Sequence, residues 1–157
     1  MKRACTEEQV NIRKEEIINT VSKMFGEMDY QDISMKTISE KISIARSSLY
    51  CYYNSKEEIM LDVLKNDYIK FLKTIIENFE NKDTIEELTD NITDAYMNNL
   101  RVMKIISLYL TDIEIHCSLE SLVNFKKDFV TYMLDLKKSI CKRFNNIPEK
   151  ESLIIYN

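Results

Sequence analysis

One glycine, Gly26, and one proline, Pro148, in 157 residues constrain this chain more than any other feature. Strands and tight turns draw heavily on both residue types, so their scarcity predicts long helices joined by short polar loops. No clean alternating run appears, although Tyr and Ile are abundant. At 45% hydrophobic and 31% charged the chain is composed like a soluble protein. Its length suffices for a real core without disulfides or metals, in one large domain or two small ones.

The four cysteines, Cys5, Cys51, Cys117 and Cys141, form neither a CxxC pair nor a disulfide framework. They read as free thiols in a reducing cytoplasm. The first nineteen residues are too charged for a secretory leader. No run reaches the ~18–20 apolar residues of a membrane span. The net charge of −4 hides a contrast. Residues 1–56 carry 9 Lys/Arg against 8 Asp/Glu, net +1, whereas 57–157 carry 13 against 18, net −5. The front third is the more basic, and charge on one face matters more than the total.

Helical spacing predicts seven helices. The first runs from about Glu8 to Gly26 through Ile17, Ile18, Val21, Met24 and Phe25, and ends at Met28-Asp29-Tyr30. A short second helix, Ser34 to Lys41, starts at a Ser N-cap, and a third runs from Ala45 to Tyr52. Ser55 with Glu58, and Thr84 with Glu87, read as capping boxes opening the fourth and fifth helices. The fifth extends to about Leu100 and the sixth covers Val102 to Ile115. The seventh starts near Ser121 and carries the stripe Leu122, Phe125, Phe129, Met133, Leu136, Ile140 and Phe144. Asn145 to Pro148 reads as a break, and the last nine residues as the start of an eighth helix. The domain seam is expected within the fourth helix, giving a domain of residues 1–56 and a second of 57–157.

The segment Ile33 to Tyr53 carries the functional signal. Two short helices joined by Ile42-Ser43-Ile44, with Ile38, Ile42, Ile44 and Leu49 facing inward, make the pattern of a helix-turn-helix. The second helix would expose Arg46, Ser47, Ser48, Tyr50 and Tyr52. Arg bonds a guanine edge bidentately, Ser serves several bases, and small side chains at 47 and 48 permit close approach. Tyr hydroxyls suit phosphates.

On these residues the chain resembles the TetR family of transcriptional regulators over residues 12–63. Ile17 through Met24-Phe25, then Tyr30, is similar to the family's first helix, and Ser34 through Ile38 to its second. Ser48-Leu49-Tyr50-Cys51-Tyr52-Tyr53 resembles the "TLYxYF" end of the recognition helix. Asn54-Ser55-Lys56-Glu57-Glu58-Ile59 resembles the "xSKEEL" start of helix four. The resemblance implies an all-α protein: a three-helix helix-turn-helix DNA-binding domain followed by a helical ligand-binding and dimerisation domain. It implies phosphate contacts from Tyr50, Tyr52 and Lys56, backbone contacts from Ser34 and Thr37, and base contacts from Arg46, Ser47 and Ser48. Leu49 and Tyr53 would be core. Packing is an alternative role for one of Tyr50 and Tyr52, and ordinary surface exposure for Lys56. Three positions depart from the family. Asp29 stands where Gly is frequent and is expected to tolerate a left-handed turn. Ser43 replaces a turn glycine and is expected to carry strain. Ala45 replaces a polar N-cap, leaving the recognition helix poorly capped.

Beyond residue 63 the chain matches the family only as helices. Tyr96, Met97, Met103, Tyr109, Phe125, Phe129 and Met133 are candidates to line an apolar ligand pocket, against the plainer reading of helix packing. His116-Cys117 lacks further ligands at useful spacing, so no metal and no cofactor is expected. A redox role for Cys51 is set against its use as a small apolar packer. There is no Gly-rich phosphate loop, nucleophile elbow or paired-carboxylate motif, so the chain is not expected to be an enzyme. The leading expectation is a cytoplasmic repressor released from DNA by a small apolar or amphipathic ligand. The alternatives are a TetR-like DNA-binding protein without such a ligand, and a helical protein-interaction module. The expected partners are a roughly palindromic double-stranded operator, a second copy of the chain meeting it after Ser118, and a small-molecule effector, with no membrane. Leu153, Ile154 and Ile155 at an apolar end suggest docking onto the other subunit or a longer natural chain, the latter favoured.

Overall fold

The computed structural model describes residues 6–81 and 84–144, and every regular element among them is helical. The elements are α1 (Glu7–Glu27), α2 (Met35–Lys41), α3 (Arg46–Leu49), α4 (Lys56–Asn81), α5 (Ile85–Asn98), α6 (Leu100–Lys104), α7 (Leu110–His116) and α8 (Leu119–Arg143). A 3-10 turn at Tyr30–Asp32 follows α1, and a π turn at Ile105–Tyr109 joins α6 to α7. The expected eighth helix, the apolar end at 153–155 and Cys5 lie outside the described residues.

Local caps set the helix starts. Thr6 and Gln9 form a capping box at α1, as Ser34 and Thr37 do at α2 and Thr84 and Glu87 at α5. Each box satisfies two backbone N–H groups that the first turn leaves without partners. The box expected at α4 is only half formed. Ser55 Oγ accepts from Glu58 N at 3.2 Å, but the Glu58 carboxylate turns to the N–H of Asn54 at 3.0 Å.

Further boundaries differ from the sequence reading. α3 is one turn long rather than spanning 45–52. Beyond Leu49 the backbone tightens, with Cys51 N bonding Ser48 O and Tyr52 N bonding Leu49 O, and this turns Tyr53 into the core. α5 stops at Asn98, because Asn99 leaves the helical region (φ −121°, ψ 32°) and its amide caps the carbonyl of Ala95. The expected sixth helix is real in extent but holds five residues of π geometry, a form that occurs as short insertions within α-helices. α8 begins two residues earlier than expected. Asp29 is extended (φ −70°), so the turn after α1 makes no left-handed demand there. Among the described residues Ser43 is the non-glycine residue at positive φ (55°), where the strain was expected. Ala45 caps α3 with no side-chain bond, also as expected.

The described residues cluster into two compact units. The first comprises the described chain up to Leu64 together with Leu108–Leu122, so it holds α1 to α3, the first turns of α4, α7 and the first turn of α8. Here α1 packs on α2 and α2 on α3. Ile17, Val21, Ile33, Ile38, Leu49, Ile59 and Ile113 are wholly removed from solvent. The second comprises Lys65–Ser107 and the described chain from Val123. Its core is Phe71, Leu72 and Ile75 of α4, Ala95 of α5, and Leu136 and Ile140 of α8, flanked by half-buried Tyr68, Met103, Tyr132 and Met133.

Candidate nucleic-acid interface

α2, the turn Ile42–Ala45 and α3 build the face that would meet DNA. Leu49, wholly buried, anchors α3, and Tyr53, nearly so, fixes the segment beyond it. The Tyr53 hydroxyl donates to Asp62 at 2.8 Å. Burial, with the Asp62 carboxylate beside it, pushes that phenol well above its ordinary range, so the hydroxyl keeps its proton. With Leu49 facing inward, helical geometry turns Arg46, Ser47 and Ser48 to solvent, and all three are exposed. Tyr50 is also exposed and Tyr52 is half-buried. Tyr52 borders an open groove of about 320 Å³ lined by Gln9, Ile12, Arg13 and Glu16 of α1.

Ser34 and Thr37 stand at the start of α2, and both hydroxyls serve its cap. Ser34 Oγ accepts from Thr37 N at 3.2 Å, and Thr37 Oγ1 accepts from Ser34 N at 2.9 Å. Lys56 opens α4 half-buried. Its Nζ donates to the main-chain oxygen of Tyr30 at 3.1 Å and stands 4.2 Å from the centre of the Tyr30 ring. An ammonium has three donors, so this contact leaves others for an anion.

Two residues hold this face in place beyond the local roles that sequence reasoning gave them, Glu58 in a capping box and Tyr30 in the turn after the first helix. Glu58 is a buried carboxylate that accepts from Asn54 N and Nδ2, Ser118 N and Ser121 Oγ, which ties the start of α4 to the turn before α8. Burial alone would push its carboxyl up, but these hydrogen bonds outweigh burial and hold it below the ordinary carboxylate range. Tyr30, beneath Lys56, stacks on Tyr109 with ring centres 4.4 Å apart and donates to Asp112 at 2.8 Å. The distant partners had no local signal, since Ser121 lies 63 residues from Glu58 and Asp112 lies 82 from Tyr30.

The seven apolar candidates do not fall into one group. Tyr109 belongs to the first unit, against Tyr30 and edge-on to Phe25. In the second unit Phe129 stacks on Tyr68 at 5.0 Å, Phe125 lies 6.1 Å from Phe129, and the Met133 sulfur accepts from the Tyr68 hydroxyl at 3.8 Å. Met103 packs on the same core. Tyr96, exposed, meets Phe71 edge-on at 4.9 Å, and Met97 is 61% exposed. Among the described residues no three His, Cys, Asp or Glu side chains are placed to hold a metal ion. The Cys117 thiol is pushed up to about 12 by burial and by the carboxylates of Glu58, Glu57, Asp62 and Glu114. No described helix is long and apolar enough to cross a membrane.

A short helix exposing an arginine and two serines, seated on a second helix through a buried leucine, defines a helix-turn-helix DNA-binding domain. Residues 17–63 match the sequence model of the bacterial regulatory proteins of the tetR family. Over 75 residues the chain is 29% identical to the biofilm operon icaADBC HTH-type negative transcriptional regulator IcaR of Staphylococcus epidermidis, a match covering 48% of this chain and 40% of that one. Such matches span 16–44% of the curated relatives' own lengths. Two solved structures share the fold. The fatty acid degradation regulator FadR from Bacillus halodurans has a TM-score of 0.60 at 16% identity, with 91% of this chain and 78% of that one covered. A TetR-family transcriptional regulator from Marinobacter aquaeolei VT8 has a TM-score of 0.58 at 13% identity, covering 91% and 74%. The all-α architecture, with a helical region following the helix-turn-helix, is that of these regulators, which are not enzymes.

Proposed function

We propose that the chain is a cytoplasmic transcriptional repressor that binds an operator as a homodimer and leaves it when a small apolar or amphipathic ligand binds the helical region after residue 57. The observation that carries this reading is the exposed Arg46-Ser47-Ser48 face on a helix anchored by buried Leu49. Arg46 and the two serines read bases, while Tyr50, Tyr52, Lys56, Ser34 and Thr37 meet the backbone. Residues 1–56 are the DNA-binding domain and 57–157 the regulatory one.

One recognition helix reads too few base pairs to select a genomic address, so two copies on a roughly palindromic site are required. Val123, Val130 and Leu134 of α8 are each more than half exposed and recur at helical spacing, an apolar stripe suited to a second copy. The half-buried aromatic and methionine side chains about Tyr68, Phe129 and Met133 supply the adaptable apolar lining a ligand site needs. The fatty acid degradation regulator among the fold neighbours makes fatty acids a rational first probe set. Gel shift on the gene's own upstream DNA tests the reading, with a salt-dependent complex expected. A thermal-shift screen of apolar small molecules, followed by release of that complex, tests the ligand. Failure to retain the upstream DNA over random duplex overturns the repressor assignment.

A further inference from the structure

Arg46 differs from the ion-paired cations of the first three helices. Arg13 pairs with Glu16, Lys36 with Glu40 and Lys41 with Glu27, so a carboxylate offsets each of those charges. Arg46 is held instead by a neutral group. Its Nη2 donates to the Tyr50 hydroxyl at 3.1 Å, and the guanidinium carbon lies 5.6 Å from the centre of the Tyr50 ring. The two side chains are four residues apart, so they share one face of the α3 turn. An arginine in water loses considerable rotamer freedom when it docks on a base, and a preformed contact reduces that loss. A hydroxyl partner leaves the full positive charge in place, whereas a carboxylate would repel DNA.

The acceptor role leaves the phenol proton of Tyr50 free. A hydroxyl has one donor and two acceptor sites, so Tyr50 can accept from Arg46 and donate its own O–H to a phosphate oxygen at once. Resting on the DNA-binding reading above, we propose that Tyr50 is a positioning residue for base recognition: its hydroxyl links the Arg46 guanidinium to a backbone phosphate, so that the phosphate register sets the arginine's approach to its base. A tyrosine that only gripped the backbone would carry no sequence information. In this arrangement it carries some, through Arg46.

Selection from a random-sequence duplex library with the full chain, followed by titration on the enriched site, tests this. The variants are Arg46→Ala, Tyr50→Phe and the double substitution. Tyr50→Phe keeps the exposed ring, so the fold is retained. The expected result is an about three- to tenfold loss of base preference at the one position that Arg46→Ala also relaxes. In the Arg46→Ala background Tyr50→Phe should cause no further loss of preference there, because the two groups act as a unit. The salt slope should not change, since no charge is removed. Uniform weakening with base preference unchanged at that position, or losses of preference that add in the double variant, would reduce Tyr50 to a plain backbone contact and overturn the proposal. If the unsubstituted chain enriches no sequence, the DNA-binding reading falls and this inference with it. If it enriches one that depends on Arg46 but is unmoved by Tyr50→Phe, only the inference falls.

Discussion

The two compact units solve the packing problem differently. The first seals seven branched aliphatic residues, Ile17 to Ile113, together with Met60, completely from water and fixes its edges with polar anchors, Glu58 on Ser118 and Ser121 and Tyr30 on Asp112. The second seals Ile105 as fully, but its main cluster of Phe71, Leu72, Ile75, Ala95, Leu136 and Ile140 is nowhere wholly buried and is surrounded by half-buried Tyr and Met side chains. Branched aliphatic side chains occupy few rotamers and pack one way. Methionine and tyrosine adapt to gaps and tolerate rearrangement. On the proposed function, a surface presenting Arg46 in one geometry would need the first kind of core, and a region taking a ligand or a second copy would be served by the second.

Truncation in each core would test that contrast most severely. Leu49→Ala should destabilise the first unit by about 2–5 kcal/mol and abolish DNA binding, because the cavity lies directly beneath α3. Met133→Ala, at a half-buried site in the second unit, should cost only about 1 kcal/mol. Denaturant melts of both variants measure the difference, and equal costs would remove the distinction between the units.

The polar anchors come next in size. Glu58→Ala leaves Asn54 N and Ser118 N without their acceptor and should cost about 1–3 kcal/mol. The native Glu58 carboxyl is held below its unfolded value of about 4.3, so the native state favours the ionised form. Its contribution is therefore complete above that unfolded value and is lost as pH falls through the lower native one. Stability profiles of wild type and Glu58→Gln should converge in that acid range and separate above it. Parallel profiles would show that the hydrogen bonds do not depend on the charge.

The smallest effect is expected at Lys56. Lys56→Ala should weaken binding about equally on specific and random duplexes and reduce the salt slope by about one unit. A loss confined to the specific site would show that the Tyr30 contact, rather than a phosphate, is what Lys56 serves.

Much of the molecule follows from local chemistry. The caps at Ser34 and Thr84 and the helical spacing through Ile17, Val21 and Met24 were legible because a cap and its partner lie three residues apart and a helix face repeats within a turn. The helix-turn-helix was legible for the same reason: Ile38 and Leu49 are buried and Arg46 to Ser48 exposed along one short stretch of chain. Tertiary structure alone decided where Glu58 and Lys56 spend their polar atoms, that Tyr109 serves the first unit rather than the apolar group of the second, and that the helix through Ile105–Tyr109 takes π geometry. Lys56 and Tyr109 meet Tyr30, at least 26 residues away, and Glu58 adds Ser118 and Ser121, 60 and 63 residues away, to its local partner Asn54. Spacing along a chain determines which side chains share a face, but chain closure determines which distant face arrives opposite and so which further polar partners are added to the local ones.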